Sequence, residues 1–171
     1  MSQRTITVNV QADGSDWSPQ ITAAIEQAVA ELVHDIVHID YQSVLVSQYP
    51  LLEKIHAEYF AGRHGPNSTW AGLEASTIRK KGHAKLMVDS GSLRASLTGS
   101  GGVRRGGRTR KVGRLAIEFG TSVPYAQYHT EGFRTYRGKK QVPAREMVGL
   151  DHRSVDTLAE RVADEIITRI Q

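Results

Sequence analysis

The chain has 171 residues, a length at which one domain buries roughly 70% of the surface that its unfolded form exposes. Hydrophobic residues make up 39% and charged residues 23%, as in globular proteins, and the 6% aromatic share predicts a mainly aliphatic core. Because the chain contains no cysteine, it can form neither a disulfide framework nor a thiolate metal site. It begins without the apolar core of a signal peptide and has no apolar run of membrane-spanning length, so we expect a soluble protein without membrane contact.

The formal net charge is +4, and it is unevenly distributed along the chain. The segment 79–114 holds eleven basic residues and one acidic residue, Asp89, which leaves 11 basic and 17 acidic residues elsewhere. The eleven are Arg79, Lys80, Lys81, Lys85, Arg94, Arg104, Arg105, Arg108, Arg110, Lys111 and Arg114. A basic middle between acidic ends indicates either a polyanionic partner or head-to-tail contact between copies of the chain.

The first half of the chain predicts mainly helices. Residues 5–10 alternate as in a strand, and a helix starts at Ser18 and Pro19 and runs to about residue 33. Beyond it, residues 34–46 mix β-branched side chains without a clear period and fit helix, strand or both. A further helix starts at Pro50 and ends at Gly62. The first helix has one apolar stripe, which comprises Ile21, Ile25, Ala28, Val29, Leu32 and Ile36.

The middle of the chain predicts a short basic helical turn at 76–81 and a turn with a helix cap at 89–92. The tract 99–114 is rich in glycine and arginine and cannot build a core. We interpret it as a long, flexible basic hairpin loop between a strand near Ala95 and a strand at Leu115.

Residues 113–132 form the clearest local pattern. Leu115, Ile117 and Phe119 alternate with polar or small residues, which predicts a strand with one buried face. A short helix follows, which starts at Pro124, carries Tyr125 and His129 on one face and ends at Gly132. We expect this segment to form a structural corner. The corner residues are Pro124, Tyr125, His129 and Gly132, and we interpret His129 as a buried, hydrogen-bonded packing residue.

The chain ends in a predicted helix over 154–170, with apolar side chains at helical spacing. The elements together predict the α+β class, with an antiparallel sheet packed with N-terminal and C-terminal helices and a long basic hairpin loop. We expect residues 1–171 to form a single domain, with 99–114 as a flexible loop within it.

Two arrangements resemble catalytic sites. His34 and His38 lie four residues apart, as in zinc-protease helices, but an Asp stands where that motif has Glu, and no third ligand is indicated. Asp89, Ser96 and His129 supply the residue types of a triad without any spacing that fixes their geometry. We therefore predict no catalytic, cofactor-binding or metal residues and no enzyme; a metal-dependent hydrolase at His34 and His38 remains the last-ranked alternative.

The basic tract gives the strongest physical indication of function. Six cations, Arg104, Arg105, Arg108, Arg110, Lys111 and Arg114, can follow a phosphate backbone or meet a protein neighbour. No aromatic residue stands between them to stack on bases, so sequence-specific recognition of nucleic acid is not expected. Protein contact and nonspecific contact with DNA both stay open.

From Trp70 to the C-terminus, a series of short motifs resembles the virion morphogenesis, or tail-completion, family of tailed bacteriophages. The matching residues, in order, are Trp70, Leu73, Thr77, Lys80, Lys81, Leu86, Asp89, Ser90, Gly91, Leu93, Arg94, Ala95, Ser96, Gly120, Pro124, Tyr125, Ala126, His129, Gly132, Pro143, Ala144, Arg145, Gly149 and Leu150.

The resemblance implies an α+β fold and a non-enzymatic structural role in the virion neck, in a particle assembled in the host cytoplasm. It implies a homo-oligomeric ring of about six copies, built by head-to-tail contacts, around the DNA passage. The partners implied are tail-terminator or tail-tube proteins, head-completion or connector proteins, and nonspecifically the packaged DNA. The alternative to this reading is a free-standing, nonspecific nucleic-acid-binding protein.

Overall fold

The computed structural model describes residues 18–101, 107–135 and 140–170. Within these ranges the chain forms α1 (Ser18–Val37), α2 (Tyr41–Val46), α3 (Tyr49–Gly62), α4 (Ala75–Lys81), α5 (Ser92–Thr98), β1 (Arg108–Val112), β2 (Ile117–Thr121), α6 (Ala126–Glu131), β3 (Phe133–Arg134), β4 (Gln141–Val142) and α7 (His152–Ile170). Helices and small antiparallel sheets in one chain confirm the predicted α+β class. The predicted strand at 5–10 lies outside the described residues, as do Arg104 and Arg105.

The segment that the sequence left open is helical. The N-terminal helix continues to Val37, and after a short break α2 begins behind Asp40, whose carboxylate accepts a hydrogen bond from the Ser43 amide at 3.2 Å. A side-chain acceptor at this position satisfies an amide that the first turn of the helix leaves unpaired. The predicted helix at Pro50 is confirmed as α3, and it ends at Arg63 in a left-handed conformation.

Two predictions for the basic tract are wrong. The strand predicted near Ala95 is the helix α5, which is flanked by Gly91 and Gly99 in left-handed conformations and buries Leu93 and Leu97. The loop predicted over 99–114 is wrong at Arg108–Val112, which form β1. This charged strand is held by its antiparallel pairing with β2, in a register that runs from Arg108 opposite Thr121 to Val112 opposite Ile117. Pairing with an apolar strand overrides the weak local preference of the basic sequence.

The hydrophobic core lies between α5, the corner and the loops that precede α4 and α5. Its buried members are Trp70, Leu86, Met87, Leu93, Leu97, Val123, Ala126 and Met147. The Trp70 indole donates a hydrogen bond to the Glu146 carbonyl oxygen at 2.8 Å, which joins the loop before α4 to the segment before α7. Six residues of the motif series therefore lie in or beside one core, namely Trp70, Leu73, Leu86, Leu93, Tyr125 and Ala126.

The terminal helices lie together at one side of this core. α7, confirmed as a helix, packs on α2 and α1. The Glu165 carboxylate accepts hydrogen bonds from Ser47 and from Gln48 (3.1 Å), and Arg169 donates to it at 2.7 Å. These hydrogen bonds lower the pKa of Glu165, with the Ser47 bond as the largest contribution.

The apolar stripe of α1 is present but is not covered by the described residues. Its seven large apolar side chains remain between 38% and 68% exposed. They are Ile21, Ile25, Val29, Leu32, Val33, Ile36 and Val37. A stripe of this length at helical spacing normally faces a core, but within residues 18–101, 107–135 and 140–170 no segment covers this face of α1.

Candidate functional site

Three features of the structure are candidates for function: the basic hairpin β1–β2, a cavity at the corner, and the uncovered face of α1. The hairpin is attached to the body by its own arginines. Arg108 donates hydrogen bonds to the carbonyl oxygens of Gly99 (2.8 Å) and Ala95 (3.3 Å), at the C-terminal end of α5. A cation at this end of a helix compensates the unpaired carbonyl groups and the helix dipole.

Arg110 attaches the same strand to α3. Its guanidinium forms an ion pair with Glu53 and lies 5.2 Å from the centre of the Tyr49 ring, within range of a cation–π contact. Glu53 and Tyr49 are more than fifty residues away along the chain, and nothing in the sequence linked them to the basic tract. Arg108 and Arg110 thus hold the hairpin to the rest of the fold. Their guanidinium groups are already engaged within the chain, so they are poor candidates for binding phosphate.

The tip of the hairpin differs from its base. Lys111 forms an exposed cross-strand ion pair with Glu118 at 3.1 Å, and the Gly113 amide donates to the Ala116 carbonyl oxygen at 2.8 Å, which closes the turn. Arg114 is exposed, and Leu115 is 70% exposed. The prediction that Leu115 belongs to a strand with a buried face is wrong, because β2 begins only at Ile117. The turn projects Leu115 outward as an isolated apolar side chain among cations.

The corner residues lie around α6, which begins at Ala126, two residues after Pro124. Tyr125 precedes the helix, and its ring meets that of His129 edge-on, with the ring centres 6.1 Å apart. Gly132 ends the helix at φ +73, ψ 163, a region that only glycine occupies readily. A β-carbon at Gly132 would lie 2.9 Å from the Val142 carbonyl oxygen and 2.9 Å from the Ala144 amide nitrogen. The glycine therefore permits the close approach of the segment that leads to Arg145.

Arg145 is the residue of this region that site reasoning missed, although the Pro-Ala-Arg sequence in the motif series pointed to it. It is only 5% exposed, and its guanidinium donates to the Ala71 carbonyl oxygen at 2.8 and 3.1 Å and to that of Gly72 at 3.3 Å. Its backbone amide donates to the His129 carbonyl oxygen at 2.7 Å. Arg145 thereby joins the loop before α4 to the corner.

A cavity of about 300 Å³ opens beside Arg145. Apolar side chains such as Leu73, Leu93 and Phe133 line it, and charged groups stand around it, including Lys81 and Asp89. An ion pair between Lys140 and Glu74 also borders it. The cavity is mostly apolar with a few charged groups, a composition found in sites that receive a side chain or small ligand.

His129 differs from its prediction in two respects, and the first is that the residue is half-buried, not buried. Its Nδ1 is buried and has no hydrogen-bond partner among the described residues, so the expected side-chain hydrogen bond is not observed there. Burial makes the largest contribution to lowering the pKa of His129, and the positive charges of Arg145 and Lys81 lower it further. The ring is therefore neutral at neutral pH. An aromatic contact with Phe133, at 6.2 Å between ring centres, completes its packing.

The structure does not assemble the sketched triad. Asp89 and His129 both line the cavity, whereas Ser96 is buried away from it. The Ser96 hydroxyl donates to the Leu93 carbonyl oxygen at 2.8 Å and lies 2.7 Å from the Thr121 hydroxyl. Ser96 therefore connects α5 to β2.

His34 of α1 and His38, which directly follows the helix, lie against one another, with ring centres 4.0 Å apart. The Nδ1 of His38 is 2.7 Å from the His34 carbonyl oxygen, in hydrogen-bond contact. Among the described ranges 18–101, 107–135 and 140–170, no group of three or more His, Asp or Glu side chains is placed to hold a metal ion. Likewise, no helix in the described part of the chain is long and apolar enough to cross a membrane.

Comparison with known proteins gives no match to a family model, to a curated protein or to a solved structure.

Proposed function

We propose that the protein is a structural component of the phage head–tail interface, a tail-completion or neck subunit that works by contact with other protein subunits around the DNA passage. In this proposal it is not an enzyme, and it acts in the assembled particle. The proposal starts from the motif series between Trp70 and Leu150, and the structure adds a surface suited to assembly.

The observation that carries the proposal is the uncovered apolar face of α1. Soluble monomers rarely expose contiguous apolar patches larger than a few hundred Å², and larger ones mark interaction sites. α1 presents seven large apolar side chains on one helix, and two further apolar residues of α7, Val155 and Ile167, are 47% and 51% exposed. Burial of such surfaces against neighbouring subunits would stabilise a larger assembly.

The test is genetic and uses electron microscopy. Deleting the coding sequence from the strain that produces the particles is expected to yield filled heads and complete tails that are not joined. Supplying the wild-type chain from a plasmid should restore joined particles. Normal joined particles in the deletion strain would rule the proposal out.

A second candidate function is nonspecific binding to nucleic acid. The observation that favours it is a set of exposed basic side chains, among them Arg79, Lys80, Arg94 and Arg114. It predicts that the isolated protein binds a short fluorescent DNA duplex with an affinity that falls steeply with salt. The logarithm of the binding constant should fall by about 0.9 per contacted phosphate for each tenfold rise in salt concentration. Absence of binding at low salt eliminates it and leaves the assembly role unaffected.

A further inference from the structure

Two exposed features of the chain complement each other in apolar character and charge. One is the apolar face of α1, and the other is the tip of the β1–β2 hairpin, which comprises residues 111–116. The seven apolar side chains of the α1 face cover about 24 Å of helix between Ile21 and Val37, at a rise of about 1.5 Å per residue. At the hairpin tip, Leu115 is 70% exposed beside the cations Lys111 and Arg114.

The charges of α1 indicate which kind of partner its apolar face can bind. α1 carries Glu26, Glu31 and Asp35 and contains no lysine or arginine. Two copies of α1 packed on each other would bring like charges together, which opposes pairing. A basic, partly apolar partner fits α1 better than a second α1 does.

The hairpin tip has the required chemistry and is held in place. Arg108 fixes its base to α5, and Arg110 fixes it to α3 through Glu53 and Tyr49. The backbone hydrogen bond between Gly113 and Ala116 closes the turn. Because these contacts order the hairpin in advance, docking of its tip has a low entropic cost.

We propose that the hairpin tip of one copy docks on the apolar face of α1 of a second copy, with Leu115 against the apolar side chains and Lys111 and Arg114 beside Glu26 at the border of that face. The contact joins two different surfaces, so each copy can accept one neighbour and donate to another. Repetition of such a contact gives a closed ring or an open filament. The inference deepens the proposed function by naming one joint of the ring, but the contact can be tested without any particle.

The test uses cysteine cross-linking, which is clean because the chain has no native cysteine. Val29→Cys and Leu115→Cys are made as separate proteins, and their melting curves are compared with that of the wild-type chain. The two are mixed at high concentration under mild oxidation. A covalent heterodimer is the expected product, and it should be absent when Val29→Cys is mixed with Tyr128→Cys, an exposed site on α6.

Two outcomes would overturn the proposal. Homodimers of Val29→Cys in excess of the heterodimer would indicate that α1 pairs with α1. Absence of any cross-link between Val29→Cys and Leu115→Cys would show that the two surfaces do not meet. If the heterodimer forms while particles without the chain are joined normally, the contact stands and the proposed function fails.

A charge variant provides a second, independent readout. Changing Glu26, which borders the apolar face, to Lys should slow heterodimer formation several-fold at low salt, because opposite charges steer the encounter. The difference should largely disappear near 1 M salt, where the screening length is about 3 Å. The matched control is Glu160→Lys on the exposed surface of α7, for which we expect no change in rate. Equal rates for the α1 variant and the wild-type chain would contradict the charge pairing.

Discussion

Replacing Arg145 with Ala tests whether this buried guanidinium holds the corner to the loop before α4. The substitution removes three N–H···O contacts to two carbonyl oxygens and leaves a void beside the cavity. Hydrogen bonds from a charged group contribute about 1.5–3 kcal/mol each when buried. Ala71 and Gly72 are exposed residues, so water can replace part of what is lost.

We therefore expect Arg145→Ala to lower the free energy of unfolding by about 2–4 kcal/mol, which is less than the sum of about 4.5–9 kcal/mol for three such bonds because water replaces part of the loss. At this chain length the loss corresponds to a fall in Tm of roughly 5–12 °C. Urea and thermal unfolding followed by circular dichroism measure both quantities. Arg145→Lys keeps the charge but not the planar fork, and should fall between Ala and the wild-type chain.

The matched control is Arg94→Ala, an exposed arginine on α5, which should stay within about 0.5 kcal/mol of the wild-type chain. A second readout follows from electrostatics. Since the Arg145 charge contributes to lowering the pKa of His129, that pKa should rise in Arg145→Ala, as measured by NMR titration of the ring. An Arg145→Ala protein as stable as Arg94→Ala would refute the role assigned to the guanidinium.

Three further predictions concern the corner, the hairpin and pH. Gly132→Ala should lower the free energy of unfolding by more than about 1 kcal/mol, because of the positive φ and the carbonyl oxygen 2.9 Å from the new β-carbon. The control is Gly72→Ala, which has open space around the new β-carbon. Equal stability of the two variants would contradict the packing at Gly132. Glu53→Gln should speed hydrogen exchange of the β1 amides, whereas Glu118→Gln, which breaks only the exposed pair with Lys111, should not. Burial lowers the pKa of His56 and His129 in the folded chain, so stability is fully present above pH of about 6.5 and declines as pH falls below it. His129→Gln should flatten that decline, and an unchanged slope would argue against a buried neutral ring.

The sequence predicted the elements whose stability is mainly local. Helical periodicity located α1, α3 and α7, and the order of Pro124, Tyr125 and Gly132 located the corner. α5 was taken for a strand because a seven-residue helix has little intrinsic stability and depends on burying Leu93 and Leu97. β1 was missed for a related reason, since its pairing with β2 and its ion pair with Glu53 are long-range contacts.

The candidate sites show the same limit. The sequence indicated that the tract around Arg110 is basic, but not that Arg108 and Arg110 are engaged within the fold. It showed the apolar stripe of α1, but periodicity alone does not reveal whether a stripe is covered by the same chain. The assignment to the phage neck remains a proposal that rests on the motif series and on the uncovered face of α1.

The most direct test of that proposal is to count the chain in purified particles by quantitative mass spectrometry. A ring in the neck predicts about six copies per particle, retained after the particles are washed in high salt. Gold-labelled antibody against the chain should mark the junction between head and tail. Absence of the chain from purified, joined particles would contradict the account.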